Sequence, residues 1–66
     1  MRCIVNGRPR EQAGPATVLA LVRDMALEGK RIAVEVNGEV VPRSRWETAA
    51  LADGDRVEIV GAVGGG

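Results

Sequence analysis

The central segment of the chain reads TVLALVRDMALEG over residues 17–29, with apolar residues spaced as on one face of an α-helix. This apolar stripe consists of Val18, Leu21, Val22 and Met25. Thr17 precedes the stripe where an N-cap belongs, and its hydroxyl can accept from the first unpaired amides of a helix. Gly29 is well suited to ending one. The segment therefore predicts a single amphipathic helix of about three turns, which leaves Leu27 opposite the stripe.

A hairpin precedes this helix. Asn6-Gly7 is typical of a type I′ turn, because both central residues of that turn have positive φ. The turn connects a predicted strand over residues 1–5 to a return strand over residues 8–12. Pro9 lacks a backbone donor, so the return strand is expected at an edge of the sheet.

A second hairpin follows the helix. Asn37-Gly38 repeats the turn signal between predicted strands over residues 32–36 and 39–41, and Pro42 ends the second of them. The pattern over residues 43–52 is weak and indicates a loop with a turn of helix around residues 46–50.

The last predicted strand covers residues 56–60, after a tight turn at Asp53-Gly54-Asp55, and Gly61 is expected to release the chain from the sheet. The first and last strands are the most apolar, as expected of buried parallel neighbours in the middle of a sheet. The helix cannot bury its stripe alone and must lie across one face of that sheet. The residues expected beneath it are Cys3, Val5, Val34, Val36, Val57 and Ile59.

This element order predicts a two-layer α+β domain with a β-grasp, ubiquitin-like arrangement. It has a four- to five-stranded mixed sheet and one helix across one face. The domain is expected over residues 1–61, and residues 62–66, which read AVGGG, form a flexible C-terminal glycine tail.

The tail is the candidate reactive segment. Three extended residues reach about 10 Å, so a tail of Ala62, Val63, Gly64, Gly65 and Gly66 can thread a narrow channel in a partner. It would present the carboxylate of Gly66 to chemistry inside that partner. The alternative is a frayed terminus or a leftover linker.

Composition excludes several other functions. The chain has no histidine and a single cysteine, Cys3, which leaves no credible metal site and no internal disulfide, and favours a reducing cytoplasm. Nine basic and nine acidic residues balance, without the basic cluster that nucleic acid or an anionic membrane would need. No apolar run is long enough to span a membrane, and the start lacks the features of a signal peptide.

A candidate docking patch lies on the face that the helix leaves uncovered. If Cys3 and Ile59 face the helix, Ile4 and Val60 face the opposite way, on adjacent central strands. A contiguous apolar patch of Ile4 and Val60 beside Ala62 is therefore predicted to bind a partner.

Four other residues have structural explanations. Cys3 is expected to pack in the core, because free cysteine is among the most buried residue types. Asp53 and Asp55 are explained by turn chemistry. Trp46 is expected to cover one end of the core.

Two segments of the chain resemble a known family. VNGEVVPR over residues 36–43 with Trp46, and LADGDRVEI over residues 51–59 with the Gly-Gly end, are similar to the ThiS family of small sulfur carriers in thiamine biosynthesis. The Val-Pro-Arg-x-x-Trp segment over residues 41–46 distinguishes that family from the related MoaD carriers of molybdopterin synthesis. A third terminal glycine, Gly64, departs from the usual pair.

The resemblance implies a protein co-substrate that is not itself an enzyme. In that family a ThiF-type enzyme uses ATP to adenylate the terminal glycine carboxylate, here that of Gly66. A sulfur donor, usually a cysteine desulfurase persulfide, then displaces AMP to leave a thiocarboxylate. Thiazole synthase, ThiG, takes the sulfur into the thiazole ring. The resemblance implies no bound cofactor and a monomer when free.

Three other functions remain open from the sequence. One is a MoaD-like carrier for molybdopterin or another sulfur-containing metabolite. Another is a protein modifier joined through Gly66 to other proteins. A third is a non-catalytic β-grasp binding module with an inert tail, although a free-standing chain of 66 residues that stops at glycine is unusual for such a module.

Overall fold

A computed structural model of the chain describes residues 1–61, and the predicted flexibility of residues 62–66 lies outside the described residues. The elements in chain order are β1 Arg2–Val5, β2 Arg8–Glu11, β3 Ala16–Thr17, α1 Val18–Asp24, β4 Ile32–Val36, β5 Glu39–Val41, a 3₁₀ helix Arg43–Arg45, β6 Ala50–Leu51 and β7 Arg56–Gly61. Five strands form one sheet in the order β2-β1-β7-β4-β5, and β3 pairs with β6.

The last strand, β7, lies in the centre of the large sheet. It runs parallel to β1, with Val5 opposite Val57, and antiparallel to β4, with Val34 opposite Ile59. The sheet is therefore mixed, and the predicted parallel pairing of the first and last strands is confirmed. Edge position is also confirmed for β2, which contains Pro9.

Helix α1 covers one face of this sheet and buries there three of the four residues of the predicted stripe; the fourth, Met25, follows the helix and is half-buried. Val18, Leu21 and Val22 are fully buried. They pack in one core with buried residues of the large sheet, of the segment after β5 and of β6: Cys3, Val5, Val34, Trp46, Leu51 and Val57. The predicted N-cap is confirmed, because the Thr17 hydroxyl accepts a hydrogen bond from the amide of Ala20 at 3.2 Å.

The helix ends earlier than predicted, after Asp24 instead of at Gly29. Ala26 takes a positive φ of 59°, its amide donates to the carbonyl of Arg23, and the amide of Leu27 donates to the carbonyl of Val22, both at 2.9 Å. These two bonds are those of a Schellman motif with alanine in the left-handed position. The motif turns Leu27 back against the core, where it is half-buried, and so explains a residue that the longer helix left unexplained.

The segment after β5 also differs from the prediction of a helical turn around residues 46–50. The turn lies earlier, as the 3₁₀ helix at Arg43–Arg45, and Ala50–Leu51 pairs with Ala16–Thr17. Two-residue strands have no periodicity, so only the tertiary fold reveals them. Trp46 is buried as predicted, and its indole donates to the carbonyl of Val41 at 2.9 Å.

The strand ends show two smaller corrections. Strand β2 ends at Glu11 instead of residue 12. Gly61 does not release the chain: it is the last residue of β7 and pairs with Ile32. The sequence pattern stopped at Val60 because glycine weakens a strand signal, but backbone pairing with β4 does not need a side chain.

The two Asn-Gly turns also support β7. Asn6 and Asn37 have positive φ values of 50° and 52°, as the type I′ prediction requires. The amide side chain of Asn6 accepts from the Ile59 nitrogen at 2.7 Å and donates to the Ile59 oxygen at 3.2 Å. Asn37 accepts from the nitrogen of Arg56 at 2.9 Å. In each turn the asparagine side chain thus adds hydrogen bonds to the backbone of the central strand.

Replacing Asn6 with glycine is expected to lower the free energy of unfolding by about 2 kcal/mol, because two hydrogen bonds to β7 are lost while positive φ remains accessible. Urea unfolding measures this loss. Asn6→Asp is the matched control: it retains an acceptor for the Ile59 amide and should lose about half as much. A loss below about 0.5 kcal/mol for Asn6→Gly would show that the side chain does not support the sheet.

Replacing Ala26 with glycine is expected to raise the free energy of unfolding by about 0.5–1 kcal/mol, because glycine adopts the left-handed conformation without the cost that alanine bears. The same unfolding assay applies. Ala20→Gly, within α1, is the control and should lower the free energy by about 1 kcal/mol. A loss for both variants would contradict the Schellman assignment.

Candidate functional site

The predicted reacting residue, Gly66, and the rest of the tail, residues 62–65, lie outside the described residues. The structure does show the base from which the tail continues. Val60 and Gly61 end the central strand β7, where they pair with Ala33 and Ile32 at the beginning of β4. The candidate tail therefore follows the central strand β7, which pairs with β1 at Arg56 and Val57 and with β4 as far as Gly61.

The predicted docking residues, Ile4 and Val60, are not brought together. Ile4 is half-buried and lies opposite Arg56, whereas Val60 is 57% exposed and lies opposite Ala33. Arg56, the partner of Ile4, is four residues from Val60 along β7. Ile4 and Val60 are therefore about 13 Å apart along the strand direction. Both residues alternate with residues that face α1, so both lie on the open face, but the contiguous patch expected from sequence does not form. Whether either binds a partner stays a prediction.

A cleft of about 570 Å³ opens on the helix side of Gly61. It is lined by apolar side chains of Leu27, Ile32 and Ile59 and by the basic residues Lys30 and Arg31. Sequence reasoning missed it, because the cleft depends on the early end of α1, which brings the segment after Ala26 back towards the sheet. The base of the tail thus has a cationic, apolar-lined cleft on one side.

Cys3 has the packing role predicted for it. The side chain is fully buried, and burial raises the pKa of the thiol, an effect that the nearby charge of Arg10 partly offsets. A protonated, inaccessible thiol is a poor nucleophile. Cys3 therefore contributes to the core and not to sulfur chemistry.

The aspartates of the Asp53-Gly54-Asp55 turn also have structural roles. Asp53 accepts from the amide of Arg2 at 2.7 Å. Asp55 accepts from the amide of Ala52 at 2.8 Å and from the side chain of Asn37 at 3.0 Å. Both carboxylates therefore have structural partners: Asp55 caps the turn at Ala52, as turn chemistry predicts, and Asp53 ties the turn to β1.

Two kinds of feature are absent from the part of the chain that the structure describes. Across residues 1–61, no three side chains of the types His, Cys, Asp and Glu come together in a group that could hold a metal ion. Over the same range, no helix is sufficiently long and apolar to cross a membrane.

Comparison with known proteins decides the family. The sequence model of the ThiS family matches residues 3–66, almost the entire chain. The chain belongs to the ThiS family. The family predicted from the motifs around residues 36–46 and 51–59 is thereby confirmed.

Individual relatives agree with this assignment. The sulfur carrier protein ThiS of Bacillus subtilis is 40% identical over 50 residues, which are 76% of each chain. The crystal structure of the thiamine biosynthesis protein ThiS from Geobacter metallireducens superposes with a TM-score of 0.84 at 33% identity, with full coverage of both chains. The predicted β-grasp fold, with one helix on a mixed sheet, is confirmed by this ThiS-family structure.

Some relatives are much longer. The thiazole synthase of Paramagnetospirillum magneticum is 39% identical over all 66 residues, which make up 20% of that protein. A second thiazole synthase, from Magnetococcus marinus, matches over the same share at 30% identity. The chain thus spans about a fifth of the length of these two thiazole synthases.

Proposed function

We propose that this chain is a sulfur carrier of thiamine biosynthesis whose terminal carboxylate, on Gly66, is the site of sulfur attachment. The observation that carries this proposal is the match of the ThiS family over residues 3–66, which includes the Gly-Gly end. The similarity to the sulfur carrier protein of Bacillus subtilis supports it.

The chemistry follows from the properties of a carboxylate. A carboxylate is a poor electrophile, so an oxygen of Gly66 first attacks ATP and displaces pyrophosphate, which leaves an acyl adenylate. Hydrosulfide then attacks the carbonyl carbon and displaces AMP, a good leaving group. When the donor is a persulfide, the same attack forms an acyl disulfide, and a thiol must cleave it, becoming oxidised to a disulfide as the thiocarboxylate leaves. The product is a thiocarboxylate in which one oxygen has been replaced by sulfur.

In this scheme the folded domain carries the tail and contributes no reactive group. Its single thiol, Cys3, is buried, and the turn aspartates are occupied by hydrogen bonds. Acid, base and nucleophilic groups therefore come from partner enzymes, and the chain acts as a co-substrate without a bound cofactor. ATP belongs to the partner.

Three partners follow from the scheme, all in the cytoplasm: a ThiF-type adenylating enzyme, a cysteine desulfurase as sulfur source, and thiazole synthase. The third has independent support, because two thiazole synthases contain a segment similar to the whole of this chain. A carrier that is similar to part of the acceptor enzyme fits a direct transfer of sulfur between them.

The thiocarboxylate can be detected by the intact mass of the purified chain after incubation with ATP, the adenylating enzyme and a sulfide source. We expect a species heavier by the difference between a sulfur and an oxygen atom. Removing residues 65–66 should abolish it. Removing a single glycine restores a Gly-Gly end and is the matched control, which should retain the added mass. An unchanged mass of the full chain would contradict the proposal.

The exposed Val60 is proposed to contact the adenylating enzyme, with Ile4 at the far end of the same face. Val60→Ser should raise the KM of adenylation severalfold and leave the midpoint of unfolding nearly unchanged, because the side chain is 57% exposed. Ala52→Ser, an exposed change in the turn before β7, is the control. Equal kinetics for the two variants would show that Val60 is not part of the contact.

A further inference from the structure

Two carboxylates oppose each other on the open face of the sheet. Glu35 of β4 and Glu58 of β7 are directly paired across the antiparallel ladder. Side chains in such a pair have Cβ atoms about 5 Å apart, and like charges there destabilise the sheet. The ion pairs among residues 1–61 are Arg2–Glu11 and Arg23–Glu28, so neither carboxylate is neutralised within the described domain.

Exposed apolar side chains flank this pair. Val40 and Val60 are the most exposed large hydrophobic residues of the described chain, at 66% and 57%. Val40 lies opposite Glu35 on the edge strand β5, and Val60 follows two residues after Glu58. With Ala33, which pairs with Val60, these residues form what we call the acidic–apolar face: Ala33, Glu35, Val40, Glu58 and Val60.

Folding does not explain this composition. The opposed carboxylates weaken the sheet, and neither valine is covered, since the helix lies on the other side. Arg56, the nearest basic residue on this face of β7, makes no ion pair with Glu58 within 4.0 Å. A cation supplied by a partner would complement the two carboxylates, which form no ion pair within the described domain.

We propose that the acidic–apolar face binds the adenylating enzyme through an arginine or lysine of that enzyme, inserted between Glu35 and Glu58, with apolar side chains of the enzyme covering Val40 and Val60. This inference rests on the proposed function and names the chemistry of its partner surface. Two adjacent carboxylates match the several donors of an arginine, and contact with that cation removes their mutual repulsion.

The position of the face suits this partner. Val60 immediately precedes Gly61, and the five residues after Gly61 can span at most about 17 Å. The terminal carboxylate therefore stays within about 20 Å of Val60, so an enzyme that binds this face can also receive the tail. A second copy of this chain is a poor occupant, because two such faces would bring four carboxylates together. Nucleic acid and anionic membranes are repelled for the same reason.

Calorimetric titration of the chain with the ThiF-type enzyme, without ATP, tests the contact separately from the chemistry. Glu35→Gln and Glu58→Gln should each raise the dissociation constant by roughly fivefold and reduce its dependence on salt concentration. The midpoint of thermal unfolding should stay the same or rise, because repulsion within the sheet is relieved. If the two glutamates had a merely structural role, replacing them would lower the midpoint of thermal unfolding.

Glu39→Gln is the matched control, since it removes the same charge from the same hairpin. Glu39 is exposed and pairs with Val36, whose neighbours on β4 include Glu35, so it lies on the other face of the sheet. Its dissociation constant should stay within about twofold of the original. Unchanged binding by Glu35→Gln and Glu58→Gln, or an equal loss for Glu39→Gln, would overturn the proposal. Absence of binding by the unchanged chain would also overturn it.

The mass measurement separates this inference from the proposed function. If the unchanged chain gains sulfur while both glutamine variants bind normally, the function stands and the acidic–apolar face is not the contact. If the glutamine variants bind weakly but the unchanged chain gains no sulfur, the contact stands and the sulfur-carrier function fails.

Discussion

The pairing of β7 between β1 and β4 is the contact on which the fold depends. This strand is the last of the described chain, yet it forms the centre of the sheet and pairs with both neighbours. Its alternate residues place Val57 fully in the core beneath α1. The central sheet therefore closes only when the final segment of the domain has joined the first one. Both Asn-Gly turns contribute, because their side chains bond the backbone of β7 at Ile59 and Arg56.

This arrangement has a consequence for the tail. A segment that follows an edge strand can pull away with that strand, whereas one that follows a doubly paired central strand is attached to a well-protected part of the domain. In the proposed carrier the tail follows Gly61, which pairs with Ile32 of β4, and the pairing of β7 with β1 lies further back, at Arg56 and Val57. The buried thiol of Cys3 and the satisfied turn aspartates leave the reaction to those partners.

The acidic–apolar face illustrates how a binding surface differs from a folding surface. On the helix side of the sheet, the pairs between β4 and β7 bring apolar groups together, as Val34 and Ile59 or Val36 and Val57 do. On the open side, the equivalent pairing opposes Glu35 to Glu58, which lowers stability without a compensating contact in the domain. Under the proposal, this repulsion is relieved only when a partner cation binds. The same two carboxylates therefore lower the stability of the free domain and favour binding of the correct partner.

The sequence by itself determined the features that depend on neighbouring residues: the Thr17 cap, the apolar stripe of α1, the type I′ turns at Asn6 and Asn37, and the family motifs. Local backbone preferences and helical periodicity are sufficient for these. The predicted end of the helix was wrong because Ala26 adopts a backbone conformation that alanine rarely takes, and the packing of Leu27 holds it there. The short β3–β6 pair, the separation of Ile4 from Val60 and the opposition of Glu35 and Glu58 were decided by tertiary structure alone. They depend on which residues of distant strands lie side by side, and that register is set by burial of the whole core.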